Sequence, residues 1–441
     1  MNSNKHLLAA AITLGSLMTA LAAPAQAISL YADDDSELEL AIEAGAGTFH
    51  SDSSYAIART DDEAVNWQEG YVNASLKGLL RLNEAGEMYA GTGLVSSAVL
   101  GDGDAAGFST GDERRTSLDA LYLGWRSGQS LTVLGDNGLD ISVGRQGFVI
   151  GDGFIVNNDG LNIGKGLGSD LNRGGVYYMA ARKTFDNTAI VRIGGDKGLR
   201  ADLFRLQSDN RVMGEPTFTG INVEHISDLG TFAGLYLKTE SNGEFANPVR
   251  DGQKTVSGRY AGNAGIENLT LSTELVRQVS GDTSTVAHAG YAEAGWSFAD
   301  APWSPTLAYR FSSFDENYDP LYYGFSRGFG TWFQGEVASN YAGPFSTNTD
   351  IHLVSLKASP AENLNLGINH FSFGNHKTDA ALGNMNASEL DVYAEYFPSE
   401  TMMISPLVGW FNPQASAANG GTQLGDAHRS FYAQLMLFVF Y

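Results

Sequence analysis

The last stretch of the chain, residues 428–441 (HRSFYAQLMLFVFY), alternates apolar and other side chains and ends on an aromatic residue. One face of this alternation holds Phe431, Ala433, Leu435, Leu437, Val439 and Tyr441, and Tyr432 and Gln434 begin the other. A period of two residues is the period of a β-strand, whose side chains point alternately to opposite faces. The segment therefore predicts a terminal strand with one continuous apolar face.

A terminal strand of this kind, closing on Phe, Trp or Tyr, resembles the signal that the outer-membrane assembly machinery of Gram-negative cells reads. The resemblance implies an outer-membrane location. It also implies contact with that machinery, with lipid and with lipopolysaccharide.

The amino-terminal residues are consistent with an outer-membrane location. Lys5 and His6 precede an apolar run over residues 7–22, and Ala25-Gln26-Ala27 follows as a small-residue cleavage site. An uncleaved membrane anchor is disfavoured because the apolar run is shorter than the ~20 residues that a spanning helix needs. We expect a signal peptide over residues 1–27 and a single domain over residues 28–441.

Composition narrows the fold class of residues 28–441. They contain no second apolar run of helical membrane length, and only helices or closed barrels satisfy every backbone group in hydrocarbon. The expected fold is an all-β, antiparallel transmembrane barrel. The absence of cysteine excludes a disulfide framework, and a net charge of −23 disfavours nucleic acid as a partner.

Alternation predicts about eighteen strands. They begin near Leu38, Trp67, Met88, Ser117, Leu139, Thr184, Leu199, Phe218, Thr231, Lys254, Leu269, Ala287, Pro305, Ile351, Leu364, Glu389, Met402 and Arg429. Residues 176–183 are also strand-like, but a nineteenth strand would break the even number found in bacterial single-chain barrels. Short connections are expected on the periplasmic side and long ones outside, the longest being residues 150–183 and 316–350.

The faces of the strands predict a polar lumen of mixed charge. On the inner wall we expect basic side chains, namely Lys77, Arg81, Arg200, Lys238, Arg259 and Arg310. Acidic ones are expected opposite them, namely Glu224, Glu274, Glu293, Asp391 and Glu395. The arginines can form an anion path, or they can pair with these acids and stiffen the wall. Alternation fails at Arg145, which predicts a bulge or the end of a strand near Gly144.

Three segments resemble the alginate-export family of outer-membrane proteins: residues 143–148 (VGRQGF), 318–324 (YDPLYYG) and 330–336 (GTWFQGE). The resemblance implies a monomeric eighteen-stranded barrel whose arginine-rich constriction passes a uronate polymer. It also implies that Arg145 is a pore arginine and that loops cap the pore.

The two longest connections carry further candidates. Aromatic residues crowd 316–350, and Tyr322 and Trp332 can stack on sugars or pack the loop into a rigid lid. Residues 150–183, with Lys165 and Arg173, are the candidate inward-folded constriction. Acidic clusters such as 33–35 and 61–63 fit solvated loops, and a Ca²⁺ or cation-bridged lipopolysaccharide contact is the alternative.

The sequence thus predicts a non-enzymatic channel for a hydrophilic anionic saccharide, alginate or a related uronate, with no cofactor. One alternative is a general small-solute porin. The other is an outer-membrane hydrolase, for which His370 beside Ser372 is the nearest approach to a catalytic pair. The two G-x-S-x-G matches, at residues 107–111 and 324–328, fall in loops rather than on a strand-to-helix turn.

Overall fold

A computed structural model describes residues 27–241, 246–330, 332–379 and 383–441. The predicted signal peptide, apart from Ala27, lies outside the described residues. Among the described residues, no helix is long and apolar enough to cross a membrane.

The described residues form nineteen strands and a few short helical turns. The strands are β1 (Ile28–Ala32), β2 (Ser36–Ser51), β3 (Val65–Arg81), β4 (Glu87–Gly101), β5 (Arg114–Arg126), β6 (Leu139–Gln146), β7 (Phe185–Ile193), β8 (Gly198–Gln207), β9 (Pro216–Ser227), β10 (Gly230–Ser241), β11 (Lys254–Gly262), β12 (Leu269–Val279), β13 (Val286–Ser297), β14 (Thr306–Phe314), β15 (Thr349–Ala361), β16 (Leu364–Asn375), β17 (Ala387–Ser399), β18 (Met402–Pro413) and β19 (Ser430–Phe440). The turns are Asn83–Ala85, Thr132–Leu134, Ser169–Leu171, Ala338–Ala342 and Ala417–Asn419.

Strands β2 to β19 close into one antiparallel barrel of eighteen strands. Each pairs with the next in the chain, and β19 pairs with β2 from Tyr432 opposite Ser51 to Phe440 opposite Glu43. The short β1 pairs only with β2, with Ile28 opposite Leu40, beyond the point where β19 ends. The predicted fold is confirmed, and residues 176–183 form no strand.

The predicted connections also follow the observed order. Short turns such as 194–197, 228–229, 362–363 and 400–401 alternate with longer loops, so the two ends of the barrel differ. We refer to the end with the long loops as the outer end.

The outward face of the barrel is an apolar belt. Large apolar side chains on it are exposed, among them Val72, Leu76, Leu307, Ile368 and Leu435. In a closed barrel every backbone group of the wall can pair with a neighbouring strand, so such a belt can face hydrocarbon.

The predicted faces are right for β3, β14 and β17 but wrong for β10. Leu235 and Leu237, expected in lipid, are buried inside the barrel, and Tyr236 is exposed outside. Lys238, expected in the lumen, pairs with Glu240 at 2.8 Å on the outward face, near the outer end of the strand. Both leucines belong to the buried apolar cluster inside the barrel, which contains many aromatic rings.

The predicted bulge at Gly144 is present. The pairing of β6 with β7 shifts register between Gly144 and Gln146, and Gly144 has φ of 119°, a value that L side chains rarely adopt. Arg145 lies within this shift, which lets a residue opposite the outward Leu121 reach acidic groups of the neighbouring loops.

Candidate channel lumen

Two long loops fold into the barrel. Loop A comprises residues 147–184, between β6 and β7, and loop B comprises residues 315–348, between β14 and β15. Backbone hydrogen bonds join them: Asn157 donates to the carbonyl of Tyr322 at 2.7 Å, and Gly324 donates to that of Gly153 at 2.9 Å. We call the joined loops the loop plug.

A cluster of aromatic rings forms the centre of the loop plug. Trp332 has no exposed surface, and its ring centroid lies 4.8 Å from Phe154, 4.7 Å from Tyr291 and 4.7 Å from Phe325. Tyr322 is packed in the same way, 5.0 Å from Phe218. Tyr322 and Trp332 are both buried against other rings, as packing of the loop into a rigid lid requires.

The arginines of loop A and β6 converge on one carboxylate, Asp209, in the connection 208–215. Nitrogen atoms of Arg182, Arg173 and Arg145 lie 2.5, 3.1 and 3.7 Å from its oxygens. Burial acts to raise the pKa of Asp209, but the guanidinium groups of Arg173 and Arg182 outweigh it and lower the pKa.

Further carboxylates balance this basic cluster. Arg173 also pairs with the fully buried Asp159 at 2.5 Å, and Arg145 also pairs with Asp186. The three guanidinium groups thus face three carboxylates, so the cluster has no net charge.

Other predicted path residues are also paired. Arg310 is 2% exposed, donates to the carbonyl of Phe333 and lies 3.5 Å from Glu293. Arg259 pairs with Glu224 at 2.6 Å and Arg200 with Asp202 at 3.5 Å.

Towards the other end of the barrel, Arg81 pairs with Glu37 at 2.5 Å, and Lys77 is exposed to the lumen. Within the described part of the chain, Lys77 is the predicted path residue without an ion pair inside 4 Å. Paired guanidiniums add polarity and rigidity to the wall but little net attraction for anions.

The acidic groups of the outer connections serve the local backbone. Asp104 is buried and accepts hydrogen bonds from the amides of Ala106, Phe108 and Ser109 at 2.5–3.1 Å. Lys165 is not in the lumen but at the outer rim, 2.8 Å from Asp112. Over the residues that the structure describes, no group of His, Asp or Glu has the arrangement of a metal site.

The alternative catalytic pair is not assembled. His370 and Ser372 both lie on the outward face of β16 and are exposed. No hydrogen bond joins them in the described part of the chain, so a nucleophile activated by a base is not formed there.

Three charged residues of the candidate site were not predicted from the sequence. Asp209 and Arg182 lie in connections, and Arg327 of loop B, 2.8 Å from Glu293, lies beside the predicted Arg310. Only their charge, in loops otherwise rich in glycine and aromatic residues, could have singled them out. Their meeting depends on how the loops fold.

No known protein-family model matches the chain, and no curated protein matches it. Solved structures do. OpdQ of Pseudomonas aeruginosa is similar over 92% of this chain and 98% of its own, with a TM-score of 0.56 and 11% identity. OccK5 (OpdH) of the same organism is similar over 91% and 98%, with a TM-score of 0.54 and 10% identity.

The chain therefore has the fold of an outer-membrane porin. A closed barrel of this fold, with its apolar outward belt, is placed in the outer membrane of a Gram-negative cell. Membership of the alginate-export family is not confirmed.

Proposed function

We propose that the protein is a passive channel for small hydrophilic solutes across the outer membrane. One observation carries the proposal. Below the loop plug the barrel wall bears charged side chains that water reaches, Lys77 and Arg200 among them, and these would be costly to keep in a dry core. The wall carries both signs, which favours a wide range of polar solutes over one charged class.

The test is conductance in a planar bilayer with the purified barrel. We expect discrete steps and weak ion selectivity, because the luminal guanidiniums are matched by carboxylates. The absence of steps from a correctly folded barrel would contradict the channel. Turnover of lipid or ester by the same sample would favour the hydrolase instead.

Anionic saccharides, such as short uronate oligomers, are the second candidate solute. Lys77 supports this preference, since it offers a charge without a partner inside 4 Å in the described part of the chain. The arginines can contribute only where a solute carboxylate exchanges with a wall carboxylate, because guanidinium groups bind either one in the same bidentate way. The loop plug leaves a long polymer less favoured than an oligomer.

This preference is tested by replacing Lys77, Arg145 and Arg310 separately with alanine. If anions pass along these side chains, each substitution should shift the reversal potential toward cation selectivity, most for Lys77→Ala. Block by uronate oligomers should also weaken. A general solute channel would keep both properties in all three variants. Glu362→Gln, in an exposed turn between β15 and β16, is the matched control.

A further inference from the structure

The two ends of loop B are joined by residues that follow β16. Asn348 donates its amide to the carbonyl of Asp315 at 3.2 Å, and His376 donates its amide to the carbonyl of Asn348 at 3.1 Å. Lys377 donates its amide to the side-chain oxygen of Asn348 at 2.9 Å. Residues 376–377 thus form a clamp at the base of the loop.

The imidazole of His376 lies between the carboxylates of Asp315 and Asp350. Its Nε2 is 3.3 Å from Asp315, and its Nδ1 is 3.0 Å from Asp350. A neutral imidazole can donate from one nitrogen only, whereas a protonated one donates from both. The clamp is therefore strongest when His376 carries a proton.

Other groups at the clamp do not replace that proton. His288 on β13 lies 3.2 Å from the other oxygen of Asp315, and the Ser313 hydroxyl donates to Asp350 at 2.5 Å. Lys377 pairs with Glu316 at 2.7 Å. Among these contacts, the link between Asp315 and Asp350 is made by the imidazole of His376.

Inside the barrel, loop B rests on acidic side chains of β17. Glu389 accepts the amides of Val337 and Ala338 at 2.7 and 2.9 Å, and Asp391 accepts the amide of Glu336 at 3.2 Å. The Glu336 carboxyl is fully buried, and the neutral polar groups that approach it are the Tyr178 hydroxyl and the Gln434 side-chain amide.

The surroundings of Glu336 supply no compensating cation. Besides the two β17 carboxyls, Tyr178 of loop A and Tyr432 of β19 face it, and Glu69 and Tyr341 lie in the same neighbourhood. Over the described residues, no lysine, arginine or histidine pairs with Glu336, Glu389 or Asp391. An ionised Glu336 would be a buried, unmatched charge beside other acids.

The sign of the pH effect follows from this burial. Burial is the main cause that raises the pKa of Glu336 to about 8, and Glu389 adds to the increase while Tyr178 opposes it. Because this pKa exceeds the ordinary value of 4.5, binding of the loop is fully favoured below that value. This preference is lost as the pH rises through about 8.

We propose that loop B is a pH-sensitive gate, held in the lumen by the His376 clamp and by protonated Glu336, and released as the pH rises. The inference rests on the proposed channel function. It assigns loop B as the moving part and loop A as the fixed part of the plug.

The experiment measures single-channel conductance of the purified barrel from about pH 5 to about pH 9. The wild type is expected to pass from a small to a severalfold larger conductance as the pH rises. Glu336→Gln cannot ionise and should stay in the small state. His376→Lys places a fixed positive charge between Asp315 and Asp350 and should move the opening to higher pH. Glu362→Gln should behave as the wild type.

The outcomes separate the gate from the channel. No conductance at any pH would contradict the channel itself. Conductance that does not change with pH in the wild type, or a Glu336→Gln variant that opens as the wild type does, would overturn the gate alone. Should Glu336→Gln fail to fold, Glu389→Gln provides the second variant. Removing that neighbouring charge should move the opening to higher pH, and an unchanged opening would also overturn the gate.

Discussion

Loops A and B occupy the same lumen, but their charges are matched differently. In loop A, Arg173, Arg182 and Lys183 each reach a carboxylate within 3.2 Å. Loop B has ion pairs near loop A, such as Asp319 with Arg250 at 2.7 Å. At its far end, however, Glu336 meets acidic and phenolic groups and the Gln434 amide, with no cation paired to it among the described residues. Ion pairs hold loop A, although its Tyr178 and Met179 amides also donate to the buried Glu69 of β3, whereas loop B itself carries an unmatched buried acid and is held conditionally.

The largest expected effect comes from the ring at the centre of the plug. Trp332→Ala removes a fully buried indole and should cost loop B about 3–5 kcal/mol of its opening free energy. Hydrogen exchange of the Val337 and Ala338 amides should become faster, and conductance at acidic pH should increase.

Trp303→Ala is the matched control, because this tryptophan is 61% exposed on the turn between β13 and β14. Slow exchange retained in Trp332→Ala would mean that the rings do not hold loop B. The comparison with loop A would then lose its basis.

The next effect is expected in loop A. Arg173→Met leaves Asp159 buried without its guanidinium, which should cost about 3 kcal/mol, since Asp159 keeps the Ser208 hydroxyl at 2.7 Å. Limited proteolysis should then cut loop A, with a rate that depends little on pH.

A double variant tests whether the unpaired charge of Asp159 causes the effect of Arg173→Met. Arg173→Met with Asp159→Asn removes both charges and should recover part of the protection. If the double variant is cut as fast as the single one, the pair is not what holds loop A.

The wall of the barrel was predictable because lipid and water impose a period of two on each strand. Eighteen strand starts and the bulge at Gly144 follow from that period and from Arg145. The inward face of β10 was predicted wrongly, because alternation fixes which residues share a face but not which face is inside. Leu235 and Leu237 face inward, where they join the buried apolar cluster of the barrel.

The candidate site was predictable only in part. The sequence placed Arg259 and Arg310 on the inner wall, but it could not show their partners, because these lie on neighbouring strands and on loops whose paths no local pattern fixes. Glu336 lies in a segment singled out for its aromatic residues, and its isolation from any cation emerges only when β17 and β19 are brought against it.

The smallest effect is expected at the outer rim, where loop A carries an ion pair that water reaches. Lys165 and Asp112 are 2.8 Å apart, with side chains 34% and 70% exposed. The hydrogen bond from Lys165 is the main cause that lowers the pKa of Asp112. Solvent and salt screen such a pair, so Lys165→Ala should leave the proteolysis rate of loop A unchanged, in contrast to Arg173→Met. Faster cutting of Lys165→Ala at low salt, with the wild-type rate restored in Lys165→Arg, would show instead that the rim ion pair stabilises loop A. Surface charge, and not only buried ion pairs, would then distinguish loop A from loop B.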